Sequence, residues 1–347
     1  MKATSVSSAA LSNAARYQQM RMQAELVKAT KESTTGTVAD VGLALGARTS
    51  QAVTFSRDLD RLNVIIDSNS LVTARLSSTQ AALGQLSDTA QNLLTALTAA
   101  GNSSSTITQQ AGKAAVQQMT SILNASVNGE YLFAGTNTDV KPIDDFTATG
   151  SRAKAAFDAS FASYFGFTQT DPLAANITAA QMDSFITSNV VPQFMGAGWQ
   201  ANWSNATDQQ IVSRISLGET TQTSASANDD SIRKLAMASA MVTSLLSGNI
   251  SQAAKTTVVG RAQAMVGEAL GGLGQLQAET GLAEKRVSDA SDRMKTQVDL
   301  FERHILDLEG VDPAEAATRV ADLTQHIETS FALTARLQQM SLLNYLT

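Results

Sequence analysis

From Leu62 to Leu97, apolar side chains recur at alternating steps of three and four residues without a slip. The positions are Leu62, Ile65, Asn69, Val72, Leu76, Thr79, Leu83, Leu86, Ala90, Leu93 and Leu97, nine of the eleven apolar. Such a pattern holds one narrow stripe against a partner for five heptads. An ordinary long core helix also buries one face, but few keep a seam beyond about 25 residues. The run therefore reads as one strand of a coiled-coil-like helical rod, and it demands a second long seam elsewhere in the chain.

The second seam lies near the other end. Leu273, Leu276, Thr280, Ala283, Val287, Ala290 and Met294 follow the same steps, and Val298, Phe301, Ile305 and Leu308 continue them one residue out of phase. The 290–294–298 spacing is a four-residue stutter, which locally unwinds a left-handed supercoil. A last helix starts in "GVDPAEAA", with Asp312 as N-cap, Pro313 at the first helical position and Glu315 at the third. It carries Val320, Leu323, Ile327 and Phe331 at the same spacing. The N-terminus repeats the pattern with small residues: Ala3, Val6, Ala10, Asn13, Tyr17, Met20, Ala24 and Val27. Alanine buries little area, so this helix is marginal alone and needs partners. Between the first two helices, Gly36, Gly42 and Gly46 predict a loop with little regular structure. The final eleven residues hold Leu337, Met340, Leu342, Leu343, Tyr345 and Leu346. A chain end that apolar argues for docking onto another surface.

The middle is different. Of 17 aromatic residues, 12 fall between Tyr131 and Trp203, with Pro142, Pro172 and Pro192 among them. There "RAKAAFDASFASYF" spaces Phe157, Phe161 and Phe165 as a short amphipathic helix. Thr178 with Gln181 forms a capping-box pair before "AAQMDSFITS". Ile211 to Leu217 reads as a strand, turned by Gly218 into a threonine-rich return. The aromatics are assigned to a core rather than to a carbohydrate or base-stacking site, because a small unit needs them for burial. The fold expected is mainly α: a long antiparallel coiled-coil-like rod built from both chain ends, with a small α+β domain inserted. The divisions are 1–57, an N-terminal helix and loop; 58–141 with 229–308, the rod; 142–228, the insert; and 309–347, the C-terminal helix.

Several functions are disfavoured. Net charge is −6 with both signs interleaved and no basic patch, which argues against nucleic acid or an anionic membrane as partner. Without cysteine there is neither disulfide nor thiolate chemistry. The first twenty residues lack the apolar segment of a cleaved secretory signal, and no run is long and apolar enough to span a bilayer. His304 and His326 each stand alone on a helix, with His304 expected to face solvent. "GEALGGLGQL" lacks the context of a phosphate loop and reads as a weak or broken stretch of helix. "SRDLDRLN" reads as ordinary helix-surface ion pairs. No catalytic, cofactor or metal site is expected.

The change from helix to insert falls in "NGEYLFAGTNTDVKP", residues 128–142. A helix through "QQMTSILNAS" ends there; Asn128-Gly129 is expected to supply its left-handed cap, "EYLF" to alternate as a strand, and Gly135 with "TNTD" to turn the chain. The stretch also carries a resemblance. Gly129, Tyr131, Leu132, Phe133 and Gly135 match the G-x-Y-L-F-A/S-G segment of the flagellin superfamily's hook–filament junction branch. Ser341, Leu342, Tyr345 and Leu346 match that branch's S-L-x-x-Y-L ending, where filament flagellins commonly close on Leu-Arg. The superfamily's Asp-Asp-Pro turn after the first helix is missing, with only Asp40 in its place.

The resemblance implies a non-enzymatic, structural part of the bacterial flagellum, extracellular and exported without a cleaved signal. It implies a ring-like homo-oligomer between the first hook-associated protein and flagellin, and an export chaperone on the apolar C-terminus. The assembly interface expected is Val6, Ala10, Tyr17, Met20, Ala24, Val27, Val320, Leu323 and Ile327 with the six terminal apolar residues. A filament flagellin is the nearest alternative within the superfamily. A secreted coiled-coil binding module, such as an adhesin or a secretion-system tip protein, is the alternative of another class.

Overall fold

The computed structural model describes residues 8–99 and 105–343, with side chains described at Ala10 and, within those ranges, from Asn13 to Arg336. About three quarters of the chain is helical. In chain order the elements are α1 (Ser8–Thr35), α2 (Val41–Leu45), α3 (Thr49–Ala99), α4 (Ser105–Leu123), β1 (Ser126–Val127), β2 (Glu130–Tyr131), α5 (Arg152–Phe165), α6 (Ala179–Phe185), α7 (Val191–Met195), α8 (Gly198–Asn202), β3 (Val212–Arg214), β4 (Thr220–Gln222), α9 (Asp230–Leu245), α10 (Gln252–Glu309) and α11 (Pro313–Leu343). They form two compact units, one of Met1–Val64 with Lys295–Thr347 and one of Ile65–Met294.

In the unit of chain ends, α1 and α11 pack together. They run antiparallel, because the end of α1 is stitched to the start of α11. The Val38 amide donates to the Glu309 carbonyl at 2.8 Å and the Val311 amide to that of Gly36 at 2.9 Å. Arg319 spans Glu32 and Glu315 at 3.1 and 3.0 Å. Asp312 caps α11 as expected, accepting from the Ala314 amide at 2.8 Å; Glu315 turns to Arg319 instead of closing a capping box. The segment read as an irregular loop is more ordered than its glycines imply. Asp40 accepts from the Leu43 amide at 3.0 Å and so starts α2, and a 3₁₀ turn at Gly46–Arg48 leads into α3. Phe55 on α3 stacks on Phe301 and His304 of α10, at 5.6 and 5.4 Å. His304 is exposed, as expected, yet one face of its ring is covered.

In the second unit, α3 and α10 are antiparallel. Asn69 bonds Ser291 at 3.0 Å, while Ser87, further along α3, meets Gln277, earlier on α10. Every seam position read from the sequence on these two helices is buried or half-buried, and the stutter leaves α10 unbroken. Neither flank is a single helix, however. The N-terminal flank adds α4 after α3, and the C-terminal flank is split into α9 and α10. The split is held from the insert, where the Gln169 carbonyl accepts from the Asn249 amide and the Thr170 carbonyl from its side chain. Helix α9 is buried on nearly all sides, which suits its run of Ala, Met and Val. It packs on α4 at Gly112, where a Cβ would lie 2.6 Å from Val242 Cγ1. The "GEALGGLGQL" stretch stays helical, and Gly272 admits Ser231 of α9 where a side chain would collide.

The aromatic middle builds its own layer on this base. Phe146, Phe194 and Trp199 surround Trp203 at centroid distances of 4.9, 4.8 and 5.6 Å. Phe157, Phe161 and Phe185 are fully buried. Asn228 sits among them with every polar atom used: Trp199 Nε1 and Ser204 Oγ donate to it, and it donates to the Ala206 carbonyl and Asp208. The capping box at Thr178 and Gln181 is present. Among the described residues the strand content is two short antiparallel hairpins, β1–β2 and β3–β4. One hydrophobic core runs from Leu83–Leu97 of α3 through α4, α9 and α10 into the aromatic layer.

Candidate assembly interface

The motif residues come first, because they position the hand-over from helix to insert. Asn128 and Gly129 both take positive φ, 54° and 85°. They do not cap α4, which ends at Leu123; they form the two-residue turn of the β1–β2 hairpin, the role in which Asn-Gly is strongest. The alternation expected of "EYLF" stops at Tyr131, since Leu132 and Phe133 are both buried. What replaces it is a weave. The Tyr131 amide donates to Thr138, Leu132 to Ala125, Ala227 to Phe133 and Thr207 to Ala134, all through backbone bonds of 2.8 to 3.1 Å. Gly135 has φ of 66°, and a Cβ there would run into the Thr207 carbonyl, so no other residue fits. Two segments distant in sequence, at Thr207 and Ala227, meet at this motif with the residues that flank it.

Arg75 of α3 secures it. Its guanidinium bonds the Glu130 carboxylate at 2.6 Å and the Tyr131 carbonyl at 2.8 Å, with the side chain only 12% exposed. Sequence reasoning missed Arg75, since nothing local distinguishes it from other helix arginines. The available signal is its place beside seam residue Leu76, where an arginine is half-buried by position.

The terminal helices divide the expected interface in two. On α11, Val320 and Leu323 are half-buried and Ile327 is buried, on the stripe that includes Ala316 and Ser330. On α1 the inward stripe is Ala15, Gln19, Met22 and Leu26, all half-buried, with Ala29 buried. The residues picked from the sequence lie elsewhere on that helix. Ala10 and Ala24 are exposed, and Tyr17, Met20 and Val27 are 64, 60 and 70% exposed. Phe331 and Leu333 of α11 are exposed too, at 52 and 56%. Val6 and the side chains of Leu337, Met340, Leu342, Leu343, Tyr345 and Leu346 lie outside those described.

Among the described residues, one ion pair between the insert and α10 shifts the protonation of both its members. Arg261 donates to Asp183 at 2.6 Å and holds its carboxyl below the usual range; the arginine is raised in return. Both groups are solvent-exposed and the pair anchors α6 to α10. Among the described residues no group of three or more His, Asp or Glu is placed to hold a metal, and no helix is long and apolar enough to cross a membrane.

A chain whose two ends close into one antiparallel helical pair, with a mixed segment inserted between them, has the architecture of a helical structural subunit. Comparison with known proteins makes this specific. The bacterial flagellin N-terminal helical region matches residues 6–138, and the bacterial flagellin C-terminal helical region matches residues 263–346. No curated protein matches. Among solved structures, one provisionally described as a flagellar hook-associated protein from Vibrio parahaemolyticus is similar in fold. Its TM-score is 0.52 at 11% identity, over 76% of this chain and 97% of that one. With the two flagellin regions covering well over half its length, the chain belongs to the flagellin superfamily. Its role is structural, within the flagellum.

Proposed function

We propose that this protein is the adaptor that joins hook to filament, a non-enzymatic subunit that assembles as a ring with copies of itself. On this reading it contacts the first hook-associated protein on one side and flagellin on the other. An export chaperone holds the apolar C-terminus before assembly. The observation that carries the reading is the "NGEYLFAG" motif, whose spacing resembles the junction branch and departs from the N-G-x-x-L-L-x-G of filament flagellins. The terminal "SLLNYL" supports it. The apolar residues exposed on α1 and α11 supply a surface for neighbours: Tyr17, Met20, Val27, Phe331 and Leu333 cost free energy in water and gain it when covered.

Deleting the gene tests the proposal. Hooks should remain, flagellin should leak unpolymerised into the medium, and motility should be lost. A deletion strain that still builds full filaments contradicts the junction role. A strain that makes bare hooks with no flagellin in the medium points to this chain being the filament subunit.

A further inference from the structure

The β3–β4 hairpin is attached to the helices in an unusual way. Its arms line a groove of about 390 Å³, with Val212, Thr220 and Gln222 on one side and Leu76, Leu276 and Ala283 beneath and opposite. The tip lands. Ile215 is fully buried, in a small cluster with Leu76, Val287 and Ala290 that is separate from the main core. Its carbonyl accepts from Asn69 Nδ2 at 2.9 Å, and the same amide group donates to Ser291 Oγ on α10. Glu219 is forked between Arg286 and Arg293, at 3.0 and 3.1 Å. The hairpin's tip is thus fixed by one apolar plug, one buried amide and one partly exposed carboxylate, and Arg286 also donates to Thr221 Oγ1 on the return arm, at 3.4 Å.

We propose that this hairpin is a releasable strap. Docked, it covers the α3–α10 seam at Val72, Leu76, Val287 and Ala290; lifted, it opens the groove and uncovers an apolar stretch of both helices. Three features set it apart from the rest of the unit. A two-stranded hairpin of three-residue strands is marginal by itself. Its anchor cluster does not share the main core, so it opens without disturbing α4 or α9. Its ion pairs are solvent-exposed, so salt weakens them. Asn69 explains why a polar residue interrupts an otherwise apolar seam: it is the receptor for the tip rather than a helix–helix contact alone.

Hydrogen exchange on the whole chain, followed by mass spectrometry, tests the strap. In the unaltered protein, amides of residues 211–223 should exchange faster than those of α9. Ile215→Ala should accelerate exchange in 211–223 by about tenfold or more while leaving α9 unchanged. Glu219→Gln should act on the same segment to a smaller extent. Because the chain has no cysteine, Val72→Cys gives a second readout: its labelling by a thiol reagent should quicken when Ile215→Ala is added. The proposal is overturned if residues 211–223 exchange as slowly as α9, or if Ile215→Ala accelerates both alike. It is equally overturned if Val72→Cys labels at one rate with and without Ile215→Ala.

Discussion

The two compact units bury their apolar residues to different degrees. In the unit of Ile65–Met294, every large aromatic of the Trp199–Trp203 layer is enclosed, and α9 is buried nearly all round. In the unit of chain ends, α1 and α11 cover a narrow stripe in which small and polar residues alternate with Met22, Leu26, Val320, Leu323 and Ile327, most of them only half-buried, while Tyr17, Met20, Val27, Phe331 and Leu333 stay in water. The first arrangement closes its aromatic layer and α9 on their own account, although Leu71, Ile107 and Leu282 stay exposed on its helices. The second leaves the rings of Tyr17 and Phe331 outward, with Met20, Val27 and Leu333 beside them in water, which suits a helical pair completed by neighbours. Stability and assembly should therefore respond to different residues.

The sharpest way to break this contrast is to hollow the closed unit. Trp203→Ala removes a ring stacked on Phe146, Phe194 and Trp199. It should cost about 3–5 kcal/mol and lower the main thermal transition accordingly. A small loss would mean that the aromatic layer is not the source of the unit's stability. Gly135→Ala comes next. Its left-handed backbone alone costs roughly 1–3 kcal/mol for another residue, and the collision with Thr207 adds to that. Far-ultraviolet circular dichroism on heating should show the loss in the same transition. Arg75→Ala should cost about 1–3 kcal/mol, since it strips the partly buried Tyr131 carbonyl of a charged donor. Arg75→Lys should recover only part of this, because a lysine lacks the fork that reaches both Glu130 and Tyr131.

The smallest effect concerns pH. Asp183 has a lowered folded pKa because Arg261 bonds its ionised form. A depressed carboxylate contributes stability above its unfolded pKa and loses it as pH falls through the folded one. The melting difference between the native protein and Asp183→Asn should thus be constant from neutral pH to roughly pH 5 and vanish only below about pH 4. The pair is exposed, so the difference should be slight throughout. A difference that changes near neutral pH would contradict the assignment.

Much of the closed unit is legible in the sequence, and the reason is periodicity. The seams of α3 and α10 use large aliphatic side chains on one face only, so the heptad has a single solution. The Thr178 capping box and the hairpin turned at Gly218 are equally local, as is the Asp312 cap in the other unit. The unit of chain ends is less legible. On α1, alanines and methionines lie on several faces, so a second stripe at Ala15, Gln19, Met22, Leu26 and Ala29 satisfies the same steps and is the one turned inward. Contacts between distant segments are not legible at all. Nothing near Asn69 announces the carbonyl of Ile215, 146 residues away, and nothing near Arg75 announces Tyr131. Asn128-Gly129 was ambiguous because left-handed residues serve both helix caps and hairpin turns, and only the pairing of β1 with β2 decides between them.

The contrast between the two units is tested most directly by one variant, Tyr17→Ser with Met20→Ser and Val27→Ser, in two assays on the same preparation. These side chains are exposed in the subunit, so its melting temperature should stay within about 2 °C of the native value, as for surface substitutions generally. Incubated with hooks that carry the first hook-associated protein, the variant should fail to sediment with them, whereas the native chain should. A variant that melts several degrees lower yet still joins the hooks would show the reverse: that this face of α1 belongs to the subunit's own stability and not to its neighbours.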